Sequence, residues 1–272
     1  MAKKAMRIDS MILCLDVGNT QVYGGLFKDD KIQLRFRYDS KSGYSSDQHG
    51  IFLKSILREN NIDCSKVQHI AICSVVPNID YSLRAACIKY FGLNPFFLQA
   101  GAKTGIEIHY DNPIDLGADR LANAIAAVNT YPNQNLIIVD FGTATTICAI
   151  SAKAEYLGGV ILAGIQLSMN ALQSNTAKLF PVEIVQPKSV IGQTTTASIQ
   201  SGLYYSQLAT VKEVTNHICG NEFSAQAPVI IGTGGFASLF ERQNIFSLIA
   251  PDLVLHGLHI ALKINVLDPQ GI

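Results

Sequence analysis

Hydrophobic positions along the chain fall into short unbroken runs that alternate with amphipathic stretches. Runs at 11–16, 21–27 and 31–37 read as strands. "DQHGIFLKSILREN" (47–60) puts Ile51, Phe52, Ile56 and Leu57 on one helical face with charges between them. "VQHIAICSVVP" (67–77) reads as a buried strand stopped by Pro77, and "SLRAACIKYFG" (82–92) as a helix ended by Gly92. Three strands followed by alternating helix and strand predict an α/β fold with a mixed sheet.

The opening pattern then returns. A polar turn, "YDNPIDLGADR" (110–120), leads into the alanine-rich helix "ADRLANAIAAVNTY" and the linker "PNQN" (132–135). After it, "LIIVDFGTATTICAI" (136–150) repeats the design of "ILCLDVGNTQVYGGLF" (12–27): an apolar strand ending on Asp-x-Gly, small polar residues, and a second strand. One such hairpin is ordinary turn chemistry, since Asp16, Gly18 and Asn19 are common turn residues. The sharper reading is a phosphate loop, with the N–H groups of Gly18, Asn19 and Thr20 facing oxygen anions, and taken alone it is the weaker of the two. Two of them, separated by nearly half the chain, favour the phosphate loop and a duplicated domain, with halves at 11–130 and 131–272. Asp16 and Asp140 are expected to converge on one cleft. A third glycine turn, "PVIIGTGGFAS" (228–238), runs a strand into Gly232, Gly234 and Gly235.

Composition narrows the function classes. Hydrophobic residues make up 48%, enough for a sizeable core. Lys+Arg and Asp+Glu balance at 21 each with no basic tract, which argues against nucleic acid or an anionic membrane as partner. The 6 cysteines show no CxxC and the 6 histidines no HExxH, so the cysteines read as small buried hydrophobes of a reducing cytoplasm. The apolar stretch after the charged "MAKKAMRIDS" is too short for a leader's core. The apolar segment "LGGVILAGI" (157–165) falls far below the roughly 20 residues that span a bilayer. A soluble cytoplasmic protein is expected.

The paired hairpins resemble the superfamily of acetate and sugar kinases, heat-shock chaperones and actin. That implies duplicated ribonuclease-H-like domains with mixed sheets flanked by helices, the actin-like ATPase architecture. Within it the chain resembles type III pantothenate kinases through "DVGNT" (16–20), "GADR" (117–120), "DFGTATT" (140–146), "GGVILAG" (158–164) and "IGQTTTASIQSG" (191–202), with "SVVP" (74–77) and "YDNP" (110–113). The resemblance implies phosphorylation of pantothenate by ATP, the first step of coenzyme A biosynthesis. It assigns ATP to Asp16, Val17, Gly18, Asn19, Thr20, Gln21, Val22, Tyr23 and Thr143, with Asp16 near the phosphates and their Mg²⁺. It assigns pantothenate to Tyr110, Gly117, Ala118, Asp119, Arg120 and Thr195, with Asp119 as general base. Asp140 would help hold a monovalent cation, K⁺ or NH₄⁺. A homodimer with the substrate pocket at the subunit interface is implied. Ala163 and Ser206 stand where the family usually has proline and glycine, which leaves local loop shape open.

The residues themselves suit that chemistry. Phosphoryl transfer needs phosphates held in line, metal to neutralise charge, and a group to take the acceptor's proton. Glycine loops cradle phosphate through backbone N–H groups without a P-loop lysine. Asp119 can be read as a helix N-cap or as a base; an ordinary carboxylate pKa of about 3.9 would leave it ionised at neutral pH. Arg120 offers a planar fork that matches a carboxylate. Tyr110 can be a ligand contact or simply a half-buried aromatic anchor. Another small-molecule kinase of the superfamily, or a non-catalytic nucleotide-binding regulator, is the alternative reading.

Overall fold

A computed structural model of the chain describes residues 11–40 and 43–267; the charged N-terminal segment discussed above lies outside them. The first sheet is five-stranded, in the order β3-β2-β1-β4-β5. Its strands are β1 (Met11–Val17), β2 (Gln21–Lys28), β3 (Lys31–Asp39), β4 (Val67–Ser74) and β5 (Phe96–Phe97). β2 runs antiparallel to both β1 and β3, whereas β4 lies parallel to β1 and β5 parallel to β4. Two helices complete the core: α1 (Ser46–Glu59), started by a Ser45/Gln48 capping box, and α2 (Pro77–Phe91). Leu53 and Leu57 of α1 and Ile79, Leu83 and Cys87 of α2 join Leu13, Leu15, Val22 and Ile72 in one buried cluster.

The second sheet repeats this plan. β7 (Leu136–Phe141), β8 (Ala144–Ile150) and β9 (Glu155–Ala163) form the antiparallel meander, and β10 (Val229–Thr233) and β11 (Leu248–Ile249) add in parallel beside β7. The order is β11-β10-β7-β8-β9-β6, so one extra strand, β6 (Glu107–Ile108), extends the β9 edge. Its core takes Met169 from α4 (Ile165–Asn175) and Ile199, Leu203 and Val211 from α5 (Thr195–Glu222). Two mixed sheets flanked by helices are the α/β architecture expected from the repeated pattern.

The chain divides into two compact units. Of the described residues, one takes in those from 11 to 105, 112–126 and 254–267; the other takes in 106–111 and 127–253. Helix α3 (Ala118–Thr130) runs through the division, and α6 (Leu253–Leu262) belongs to the first unit from Val254 onward.

Two departures from the hydrophobic pattern have physical causes. α2 starts at Pro77 rather than at 82, because proline's fixed φ and missing N–H suit the first helical position as well as they stop a strand. α5 has no sequence counterpart above: its buried stripe Ile199, Leu203, Gln207, Val211 and Thr215 includes two polar residues, which hides the helical period. Among the described residues no helix is long and apolar enough to cross a membrane.

Burial sets the reactivity of the thiols. Cys14, Cys73, Cys87 and Cys148 are buried, and desolvation pushes Cys14 and Cys73 well above the usual thiol range and Cys87 up to about 12. Iodoacetamide applied to the native protein at neutral pH should therefore label Cys64 and Cys219 alone, while all 6 cysteines become reactive in denaturant. Mass spectrometry of labelled peptides reads the difference, and native labelling of Cys73 would contradict this packing.

Candidate active site

A strand buried along its length can carry a carboxylate only where burial ends. Residues 12–15 of β1 are fully buried, and the half-buried Asp16 follows them near the strand's end. The parallel register of β1 and β4 places Cys73 opposite Asp16, and the Cys73 thiol donates to Asp16 Oδ1 at 3.4 Å. Beyond Asp16, Val17 pairs with Val22, and the Gly18 N–H donates to the Gln21 carbonyl at 3.1 Å. The Gly18 amide therefore closes the turn instead of facing an oxygen anion, and Asn19, Thr20 and Gln21 stand exposed at the tip. Val17 and Val22 point into the core, and Tyr23 is buried with the Arg37 guanidinium 3.7 Å over its ring.

Asp119 reaches the same neighbourhood from α3. Its Oδ1 accepts from the Arg120 N–H at 2.7 Å, so the carboxylate does engage a first-turn amide, as an N-capping group does, although the helix begins one residue earlier at Ala118. A side chain at Gly117 would bring its Cβ within 2.6 Å of that oxygen and 3.8 Å of Val75, just past β4. Burial raises the Asp119 pKa above the ordinary carboxylate value, outweighing the downward pull of the Arg120 amide and charge. The ordinary value expected from sequence is thus corrected. Arg120 is 6% exposed, which gives its charge a strongly desolvated setting.

Cys73 marks where these groups meet. Its thiol is raised first by burial and then by the negative charges of both Asp16 and Asp119. Two carboxylates from separate elements therefore act on one buried sulfur, and the protonated thiol is a fixed donor to one of them. Sequence reasoning treated Cys73 as packing alone. The available signal was the parallel alignment of "AICS" with "CLDV", which puts cysteine against aspartate.

The second unit builds its own version. Asp140 of β7 lies opposite Thr233 in the parallel pair with β10, the counterpart of Asp16 opposite Cys73. The Gly142 N–H donates to the Ala144 carbonyl at 3.1 Å, and the Thr143 carbonyl accepts from the Gly164 N–H at 3.1 Å at the start of α4. Thr143 itself is exposed. Gly234, with φ +87, passes so close to this turn that a Cβ there would overlap Asp140 Oδ1 and lie 2.6 Å from the Phe141 nitrogen. The carboxylate thus sits in a recess that only glycine leaves open.

Tyr110 and Thr195 belong to other parts of the second unit. Tyr110 follows β6 and packs edge-on against the buried Tyr156, centroids 5.7 Å apart. Thr195 opens α5 behind its N-cap Thr194, whose hydroxyl accepts from the Ala197 N–H at 3.1 Å. Thr195 lines a cavity of about 1020 Å³ between α4 and α5, together with Leu167, Gly202 and both positions that depart from the family pattern, Ala163 and Ser206. The Ala163 carbonyl accepts from Gln207 Nε2 at 2.7 Å and the Ser206 hydroxyl donates to the Leu203 carbonyl at 3.2 Å, so both are held by local bonds. Among the described residues, one group of metal-ligating side chains lies within 4.8 Å of one another, Glu107, His109 and Glu155. It includes none of Asp16, Asp119 and Asp140.

The model of the type III pantothenate kinase family matches residues 12–217. The chain belongs to that family. The type III pantothenate kinase of Legionella pneumophila (strain Corby) is 56% identical over 255 residues, covering 94% of this chain and 99% of that one. Type III pantothenate kinase 1 of Francisella tularensis subsp. holarctica (strain OSU18) is 47% identical, covering 94% and 100%. Solved structures share the fold at low identity. A conserved Baf family protein from Campylobacter jejuni, described as a transcriptional activator, superposes with a TM-score of 0.58 at 20% identity, covering 93% and 98% of the two chains. The ethanolamine utilization protein EutJ from Carboxydothermus hydrogenoformans gives 0.51 at 16%, covering 93% and 89%. These likenesses show a shared fold and carry nothing about activity.

The recess at Asp140 predicts a sharp contrast between adjacent glycines. Gly234→Ala should lower stability by at least the ~1–2 kcal/mol of a left-handed L-residue, with the Asp140 overlap adding to it. A Cβ at Gly235 meets nothing within 4 Å, so Gly235→Ala should stay within about 0.5 kcal/mol of the parent in urea unfolding. Equal midpoints for the two variants would contradict the packing.

Proposed function

We propose that this chain transfers the terminal phosphoryl group of ATP to the hydroxyl of pantothenate, forming 4'-phosphopantothenate in the first step of coenzyme A biosynthesis. The observation that carries this reading is the meeting of Asp16 and Asp119 at Cys73: a carboxylate at the end of a phosphate-loop strand beside a second carboxylate on a helix start. Family membership supplies the substrate class.

Asp119 is the general base. Burial raises its proton affinity, which favours taking the acceptor's proton late in transfer, and the adjacent Arg120 fork holds the pantothenate carboxylate. Gly117 and Ala118 shape that end of the pocket, and Tyr110 and Thr195 contribute further substrate contacts. The turn from Asp16 through Tyr23 and Thr143 serve ATP, with the exposed tip of the turn meeting phosphate oxygens. The halves 11–130 and 131–272, each opened by its own Asp-x-Gly hairpin, act as the two ATPase domains.

The donor sets fit the expected ions. Mg²⁺ keeps most of its waters and needs one or two carboxylates besides the phosphates, and the half-buried Asp16 near the end of β1 can provide one. Asp140, recessed behind Gly234, suits a K⁺ or NH₄⁺ ion. Both ions would supply positive charge against the phosphates where the loops carry no lysine.

A homodimer attaches to the second unit. Ile161 (63% exposed), Val190 and Ile191 (79% exposed), with Leu167 and Phe180, leave apolar surface that a second copy would cover. Light scattering at micromolar concentration should give twice the chain mass, and a monomer would end the shared-pocket idea. Operation in the cytoplasm accords with thiols left free throughout.

A coupled ADP-release assay with pantothenate, with and without K⁺, tests the reaction directly. Turnover with acetate or a hexose and none with pantothenate would overturn it. Asp119→Asn should lower kcat by roughly 10²–10⁴-fold with ATP binding intact. The sign for stability is opposite to that of a surface ion pair. A carboxyl whose folded pKa is raised contributes stability below its unfolded value, and that contribution is lost as pH rises through the folded value. At pH 7 the buried charge is therefore a liability, and Asp119→Asn should melt no lower than the parent. In the parent, kcat/KM should fall with acidification at a pH above the ~3.9 of an ordinary aspartate.

A further inference from the structure

Helix α6 is wedged between β2 and α3 within the first unit, with Leu255, Leu258 and Ala261 fully buried. Its two contacts differ in kind. Toward β2, a Cβ at Gly25 would lie 2.7 Å from Leu255 Cδ1, a side-chain end that can turn aside. Toward α3, a Cβ at Gly257 would overlap the Ala122 carbonyl oxygen outright and lie 2.5 Å from its carbon and 3.1 Å from its Cα. That contact is backbone, and no rotamer relieves it. Ala122 is three residues past Asp119, less than one helical turn and about 4.5 Å along the axis.

α6 is also fixed at its far end. His259 stacks on Phe27 with centroids 4.3 Å apart and planes 5° from parallel, and Lys263 pairs with Asp30. The Lys103 N–H donates to Asn265 Oδ1 at 2.9 Å while Asn265 Nδ2 donates to the Lys103 carbonyl at 2.8 Å. With α6 held at that end, a Cβ added at 257 would press directly on the α3 backbone.

We infer that Gly257 is a positioning residue for the phosphoryl acceptor: it lets α6 seat α3 backbone against backbone and so sets where Asp119 and Arg120 stand. This rests on the reading of Asp119 as base. Misplacement of reacting groups by about 1 Å lowers a rate by up to ~10²-fold.

The test measures Gly257→Ala in the full chain. kcat should fall about 10–100-fold per folded site. The acid limb of kcat/KM should shift as Asp119 changes its burial, and the ATP dissociation constant should stay within about twofold of the parent. Gly25→Ala, which presses on α6 through the yielding Leu255, is the matched control and should lower stability with kcat per folded site retained. Should Gly257→Ala not fold, Asn265→Ala replaces it. That change frees the end of α6, and it should lower kcat about 2–5-fold with the same acid-limb shift and unchanged ATP binding. A parental kcat and pH profile in whichever variant folds would overturn the inference while Asp119→Asn remains impaired. Full activity in Asp119→Asn would instead remove the base assignment, and this inference with it.

Discussion

Everything in the site depends on where a buried strand is allowed to become charged. β1 and β7 are enclosed along their length, and each ends its apolar run on an aspartate at the point where burial relaxes. The parallel neighbour fixes what that aspartate meets. In the first unit β4 brings a cysteine thiol, and in the second β10 brings Thr233 followed by a left-handed glycine. A slip of one residue in either register would turn the carboxylate to the other face of the sheet. Position is thus set by strand pairing, and the loops add detail.

The same constraint explains what could be read in advance. The strands, the antiparallel hairpins and their duplication were legible because alternation and turn residues are local properties. The roles of Cys73 and Gly257 were not, because each depends on a register or close approach between segments distant in sequence. Helix α5 was obscured by Gln207 and Thr215, polar residues placed on a buried stripe. Gln207 is there to donate to the Ala163 carbonyl, a tertiary bond with no trace in local periodicity. The Gly18 amide misled for the opposite reason. A hairpin this tight uses its first N–H to close itself, leaving residues 19–21 exposed at the tip.

Electrostatics give the two carboxylates different settings. Asp119 is desolvated enough that burial outweighs a neighbouring arginine, which favours its protonated form and suits a proton acceptor. Asp16 receives a thiol hydrogen bond from Cys73, whose proton is held by burial and by both negative charges around it. The thiol thus remains a donor across the physiological range instead of becoming a third anion. Replacing it by an acidic group of ordinary pKa would add repulsion beside Asp16 and Asp119.

The two sheets also differ at the outer strand of the antiparallel meander. β3 closes one edge of the first sheet and shows solvent Lys31, Gln33, Arg35 and Arg37, the charged edge that blunts strand-to-strand association. Its counterpart β9 is paired by β6 only at Glu155 and Tyr156 and exposes Val160 and Ile161 farther along. A duplicated domain gives each strand an internal control: the same place in the fold tolerates charge, so apolar residues there are not required for folding. What β9 exposes is better explained by a surface to be covered than by packing within its own unit. That contrast is why the dimer proposal attaches to the second half of the chain, beside the cavity that Thr195 lines.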